Sequence, residues 1–372
     1  MGGAQQSLVE LCTTLPTFGV EAGAAVPPGP LYDTLQAAGV SVYPVSAIRA
    51  KRHGLGLIAT LFKLTYSQWT LASVINGFQP DIIHANTIPA SLAVGKAPFG
   101  TFLFSHIRDL RQPVLAVQQV VKNSTRIIAI STALDTYLGE IINPRHLGRI
   151  RTIRNGIDTA RFTPGDKTAA RRRFALPEDA PVIGMVAHLI PWKQHNIFLA
   201  AAKRVKARHP AAHFVIVGRD LFSEHTAWMD RLRAYAKSNG LQDAVHWIHD
   251  LDRTEQIYPA FDILVHPARN EPFGRVVCEA MAMRIPVIAA RSGGITDIIT
   301  DGANGMFVPE GDTDATAASV CALLTDPGRA NALAEAGRQH ILAHFTKEHL
   351  ARQLAHEYAS AIAAETRKRG EE

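Results

Sequence analysis

Two carboxylates stand eight positions apart in the run Glu271-Pro-Phe-Gly-Arg-Val-Val-Cys-Glu279. Pro272 and Gly274 keep Glu271 out of a helix, so the run predicts a helix starting near Gly274 or Arg275. Glu271 then precedes the helix N-terminus and Glu279 projects from its second turn. The first amides of a helix have no internal acceptor and favour an anion such as a phosphate or a sugar nucleotide. Carboxylates beside such a site accept hydrogen bonds from sugar hydroxyls. The plainer reading is a surface helix with a favourable acid near its start.

Positioning these groups falls to short β-branched runs that alternate with longer amphipathic segments. Strands are expected at 81–84, 101–106, 126–131, 182–188, 213–218, 245–249, 262–266 and 286–290, and helices at 194–208, 224–239 and 275–283. Strands alternating with helices of this length imply parallel sheets and an α/β fold. In such sheets ligands bind beyond the carboxyl ends of the strands. Turn-forming clusters from Asn155-Gly156 to Leu176-Pro-Glu-Asp179 mark a domain boundary between 155 and 180. The chain starts with Gly2-Gly3 and a helix over 4–15, where a parallel domain normally has a strand first. Either that strand is missing or another takes its place.

At 372 residues, with 47% apolar and 19% charged residues, the chain suits two domains with real cores, which excludes wholesale disorder. No apolar stretch is long enough to span a bilayer, and the opening six residues read as carrying no secretory leader. Cys12, Cys278 and Cys321 form no paired framework, which fits a reduced, cytoplasmic protein without structural zinc. The formal charge of +6 lies wholly in residues 1–170, so that half is expected to face something anionic. Nucleic acid is not the expected partner, because the basic residues are scattered and no recognition motif is present.

The run His266-Pro-Ala-Arg-Asn-Glu-Pro-Phe-Gly-Arg-Val-Val-Cys-Glu279, followed by Ile285-Pro-Val-Ile-Ala-Ala-Arg-Ser-Gly-Gly294, resembles the retaining, nucleotide-sugar-dependent glycosyltransferases of the GT-B fold, family four. Ile153-Arg-Asn-Gly-Ile-Asp158 with Phe162, Val182-Ile-Gly-Met-Val186, Lys193, Phe214-Val-Ile-Val-Gly218 and Asn304-Gly-Met-Phe-Val-Pro309 extend the likeness. It implies two Rossmann-like parallel α/β domains facing across a cleft: 1–160 for the acceptor, 161–345 for the nucleotide sugar, and 346–372 as a helix returning to the first. It further implies that Glu271 binds donor-sugar hydroxyls with the amides of Phe273 and Gly274 and the neighbouring Arg275, and that Glu279 holds the ribose. Lys193 would neutralise the diphosphate, Gly2 and Gly3 would approach it from the other domain, and His106 would stand beside the reacting carbon. The implied reaction needs no metal or cofactor. It moves a hexosyl unit from a UDP-, GDP- or ADP-sugar to a small-molecule, glycan or lipid-linked hydroxyl, with retention of configuration.

The chain departs from the family where Gly-Arg usually precedes the lysine and Ala187-His188 stands instead. An imidazole is only partly charged near neutrality, so donor affinity is expected to weaken as pH rises above about 7 if His188 faces the diphosphate. The alternative is a structural histidine. Asp297 stands where glutamate is more usual and is left without a role. The DxD triplets Asp250-Leu-Asp252 and Asp312-Thr-Asp314 read as helix caps and not as metal ligands. The segment 49–64, basic then apolar, reads as a core-facing helix behind a solvated loop, or as a peripheral contact with the inner face of a membrane. A nucleotide-sugar epimerase of the same fold and a non-catalytic nucleotide-sugar-binding protein are the rival functions.

Overall fold

The computed structural model describes residues 2–46, 68–98, 100–110, 112–220, 225–249, 251 and 253–370. The chain forms two compact units, one of Met1–Gly156 with Lys347–Glu372 and one of Ile157–Thr346. The boundary thus falls between Gly156 and Ile157, at the start of the turn-rich stretch. The segment 49–64 and the first DxD triplet, whose aspartates are 250 and 252, lie outside the described residues. Among the described residues no helix is long and apolar enough to cross a membrane.

In the first unit, β1 (Gly23–Val26) pairs with β2 (Ser41–Pro44), while β3 (Ile82–Ala85), β4 (Phe102–Ile107), β5 (Arg126–Ala129) and β6 (Ile150–Thr152) form a second parallel sheet in that order. No described strand precedes the helix Gly3–Thr14, and none joins the two sheets. The helix itself packs on both. Cys12, flanked by Leu8 and Val9, meets Ala24 and Val26 of β1, whereas Leu11 and Leu15 meet Phe104 and Ile128 of β4 and β5. The last helix, Lys347–Gly370, completes this second cluster with Leu350, Ala351, Leu354, Tyr358 and Ala361.

The second unit carries β7 (Val182–Val186), β8 (His213–Val217), β9 (Val245–Ile248), β10 (Ile263–His266), β11 (Val287–Ala290) and β12 (Met306–Val308). Their spatial order is β12-β11-β10-β7-β8-β9, all parallel. Every residue of β7, β10 and β11 is buried, as expected of strands covered on both faces. The helix His195–Arg208 supplies part of that cover with Phe198, Leu199, Ala201, Ala202 and Val205, spaced to fall on one face. The chain runs outward from β7 to β9, then returns to start again at β10. The place where the order reverses, between β7 and β10, is where an open α/β sheet binds ligands at its carboxyl edge.

Each of the eight expected strands is present within two residues of its expected ends. β6 falls on a strand-like run read at 150–153, whereas β1, β2 and β12 were not expected. They are three or four residues long, and β1 (Gly-Ala-Ala-Val) has little to mark it as a strand. Asp312 of the second DxD triplet caps the helix Thr313–Thr325 by accepting from the Ala315 amide at 2.9 Å.

Candidate active site

Lys193 follows β7 and Glu271 follows β10, so the two residues leave the two strands that flank the reversal. They meet. Lys193 Nζ donates to Glu271 Oε2 at 2.5 Å, and His266 Nε2, at the last residue of β10, lies 3.0 Å from the same oxygen. Both Lys193 and Glu271 are buried, and the Lys193 ammonium lies 4.1 Å from the centre of the Trp192 ring. Burial opposes ionisation of Glu271, but the Lys193 charge and the His266 hydrogen bond outweigh it and hold the carboxyl below the usual carboxylate range. Burial lowers the pKa of His266, so its neutral ring donates from Nε2 to Glu271. Among the described residues both donors converge on Oε2, which leaves Oε1 to accept from a ligand.

The loop behind Glu271 is fixed by its backbone. Gly294 N donates to the Glu271 carbonyl at 2.8 Å, Arg269 N donates to the Trp192 carbonyl at 2.9 Å, and Ser292 Oγ accepts from Asn270 N at 2.6 Å. Gly274 begins the helix Arg275–Ala282 with φ +103°, a left-handed value that favours glycine. Among the described residues the amides of Phe273 and Gly274 have no acceptor, as the helix-start reading requires. The Phe273 ring itself is buried against Phe345, so only its backbone is available to a ligand. One turn on, Glu279 Oε2 accepts from Tyr258 Oη at 2.9 Å and Oε1 lies 3.7 Å from Arg275 Nε. Arg275 is thus an ion-pair partner of Glu279. A carboxylate has about four acceptor positions, so Glu279 keeps capacity for a further donor.

His188 is partly buried just beyond β7. Burial, then the neighbouring Lys193 and Arg219 cations, lower its pKa below the ordinary 6.5. The lowered value favours the neutral imidazole near pH 7, so any affinity loss tied to this group begins at a lower pH than the ordinary value would give. An incoming anion raises the pKa, so binding takes up a proton. Affinity then falls as pH rises from the unbound pKa toward the bound one. His188→Arg should tighten binding of a nucleoside diphosphate roughly tenfold at neutral pH, since a permanent charge replaces a neutral donor. It should also flatten the pH dependence. Titration calorimetry with UDP from about pH 5 to 8 reads both effects; weaker binding by the arginine variant would remove His188 from the diphosphate site.

The remaining expected residues belong to the first unit. Gly2 precedes the helix Gly3–Thr14 and donates to Gln5 Oε1 at 2.9 Å, while Asn86, just past β3, donates to the Ala4 carbonyl at 2.9 Å. His106 is fully buried in β4 and touches His84 and Arg108. Arg108 also donates to Asn86 Oδ1 and to Asn155 Oδ1, at 2.9 and 2.7 Å. Asn155, read from sequence as part of a turn-forming cluster, is buried and accepts from this arginine.

Residues 166–340 match the family model described as Glycosyl transferases group 1, and residues 1–161 match Glycosyltransferase Family 4. The chain belongs to the family-four glycosyltransferases. Among its curated relatives, a D-inositol 3-phosphate glycosyltransferase of Acidothermus cellulolyticus is 39% identical over 186 residues, which are 48% of this chain and 41% of that protein. One from Mycolicibacterium gilvum is 32% identical over 263 residues, 69% of this chain and 52% of that protein. The matches thus span about half the length of those relatives. Among solved structures, Anabaena HepE in complex with UDP and glucose superposes with a TM-score of 0.81 at 22% identity, over 96% of each chain. Sucrose-phosphate synthase from Thermosynechococcus elongatus gives 0.75 at 22% identity, over 95% of this chain and 98% of that one. At such identities the likeness concerns the fold, which is GT-B.

Four contributors to this site were not singled out from sequence: His266, Tyr258, Trp192 and Gly293, whose φ of +57° places it against the Glu271 backbone. His266 ends a strand, where ligand-facing groups gather, and it opens the run that carries the family resemblance; both signals pointed to it. A surface cavity of about 970 Å³ at the amino ends of the same strands is lined by Arg171, Asp262, Arg284 and others, and holds none of the site residues. Arg171 there pairs with Asp262, and Arg284 pairs with Glu335 outside the cavity.

Proposed function

We propose that this chain is a retaining glycosyltransferase that moves a hexosyl unit from a nucleotide-diphosphate sugar, first of all a UDP-sugar, to a hydroxyl acceptor. The observation that carries the reading is the Lys193–Glu271 contact at the strand reversal, in front of the Phe273 and Gly274 amides. Sugar hydroxyls donate to Glu271 Oε1, the ribose hydroxyls to Glu279, and the diphosphate accepts from Lys193 and the amides. The glycosidic C1–O bond breaks with its electron pair on the diphosphate. The acceptor oxygen bonds C1 on the same face and its proton passes to the leaving phosphate oxygen. A lysine charge about 4 Å from the developing anion is worth about 4 kcal/mol at an effective dielectric of 20, before desolvation. This arrangement neutralises the leaving group with side-chain and backbone donors, so no metal is required.

The donor class is supported by HepE, whose structures hold UDP with glucose and UDP-glucose. The acceptor class is supported by the relatives named for D-inositol 3-phosphate and by the +6 excess of residues 1–170, which favours an anionic acceptor. Incubation with UDP-, GDP- and ADP-sugars, with and without D-inositol 3-phosphate and EDTA, tests each element. A glycosylated acceptor of retained anomeric configuration, formed in EDTA, is expected. An inverted product would end the retaining mechanism, loss in EDTA the metal independence, and an isomerised sugar without acceptor the transferase reading.

A further inference from the structure

Asn270, immediately before Glu271, has φ +47°, a left-handed value that persists in a residue with a side chain only where its neighbours enforce it. Its amide donates to Ser292 Oγ at 2.6 Å, and the Ser292 hydroxyl donates to Glu310 Oε2 at 2.8 Å. An amide can only donate, and the hydroxyl has one proton to give. That proton goes to the carboxylate, which leaves an oxygen lone pair facing Asn270. Glu310 Oε1 lies 3.1 Å from Arg269 Nε, so the same carboxylate also holds the residue before Asn270. Gly311 lets the two approach, since a Cβ there would lie 3.1 Å from Arg269 Nη2. Ser292 is buried and follows β11, and Glu310 follows β12. The two strands beyond β10 thus brace the loop that leaves it. With Arg269 N on the Trp192 carbonyl and Gly294 N on the Glu271 carbonyl, every residue of 269–271 is tied.

We propose that Ser292 and Glu310 are positioning residues for the transfer. Glu310 orients the Ser292 hydroxyl, which fixes left-handed Asn270 and so aims Glu271 Oε1 at the donor sugar. The sugar comes from the glycosyltransferase reading; the brace itself does not depend on it. The Arg269–Glu310 ion pair is partly exposed and adds little alone, so the buried hydroxyl carries most of the effect. A nucleotide without a sugar makes no use of Glu271 Oε1, so these residues should matter for UDP-glucose and not for UDP.

Amide hydrogen exchange, read residue by residue by NMR of the full chain, tests the brace without substrate. Ser292→Ala should speed exchange at Asn270 about tenfold, the loss of one hydrogen bond, whereas Ser292→Thr, which keeps the hydroxyl, should not. Glu310→Ala should give part of that effect, and Glu310→Gln, which still accepts from the hydroxyl, should give none. An Asn270 amide unmoved by Ser292→Ala, or freed equally by Ser292→Thr, would overturn the brace; one unmoved by Glu310→Ala removes Glu310 from it. Kinetics tests its purpose. Ser292→Ala should lower kcat/KM for UDP-glucose about 2- to 10-fold while the Kd of UDP stays within about twofold, and Ser292→Thr should recover the loss. Equal weakening of UDP and UDP-glucose would make Ser292 a structural residue only. Failure of the unaltered chain to transfer from any sugar nucleotide would count against the transferase reading, and the exchange rates would still decide the brace.

Discussion

Lys193→Met is expected to lower both stability and transfer, and adding Glu271→Gln should restore only the first. Removing the ammonium leaves the Glu271 carboxylate buried with a neutral imidazole as its remaining donor, which costs about 3–5 kcal/mol in comparable broken pairs. The neutral glutamine relieves that cost because it needs no counter-charge. Transfer should fall by about a thousandfold in the single variant, the rate equivalent of about 4 kcal/mol, and should not recover in the double variant. Denaturant unfolding and initial rates on the single and double variants close the cycle. Recovery of turnover by the double variant would make the lysine a structural partner of Glu271 and nothing more. Because Glu271 titrates below the usual carboxylate range, the stability it contributes is complete above its unfolded-state pKa and is lost as acid protonates it.

Gly293→Ala is expected to disable the site from behind with less harm to the fold. Gly293 has φ +57°, and a Cβ there would lie 2.1 Å from the Glu271 carbonyl oxygen and 3.0 Å from its backbone carbon and nitrogen. Backbone cannot swing aside as a flexible side chain does, so the Glu271 loop must shift. A displacement near 1 Å at reacting groups costs about a hundredfold in rate, and kcat/KM should fall by about that factor. Gly302→Ala is the control: φ is +73° there, yet nothing lies within 4 Å of the added carbon. It carries only the left-handed strain, about 1–2 kcal/mol, and should leave kcat/KM intact. Equal kinetic losses in both variants would mean that backbone strain, and not the Glu271 contact, sets the effect.

The sequence was most legible where periodicity and chemistry coincided. β7, β8, β10 and β11 are buried runs bounded by turns, so their existence and parallel direction, though not their order, followed from pattern alone. Glu271 was identified because proline and glycine exclude it from the helix that Gly274 starts. The geometry of its pairing was not legible, since Lys193 lies 78 residues away and the contact depends on β7 and β10 being neighbours. The same holds for Tyr358 and His84, which are 274 residues apart yet share a hydrogen bond. His188 was read from residue type as an imidazole partly charged near neutrality; that burial and the nearby Lys193 lower its pKa was not legible in the sequence.

The helix that begins at Lys347 supplies Leu350, Leu354 and Tyr358 to a core otherwise made by Leu11, Phe104 and Ile128. A ribosome releases those residues only after the whole of Ile157–Thr346 has been made. Residues 1–156 therefore emerge with one apolar wall uncovered until the helix Lys347–Gly370 has been made. The hydroxyl that fixes the His84 ring belongs to that same helix, so the first unit's histidine pair is completed only after the second unit has been synthesised.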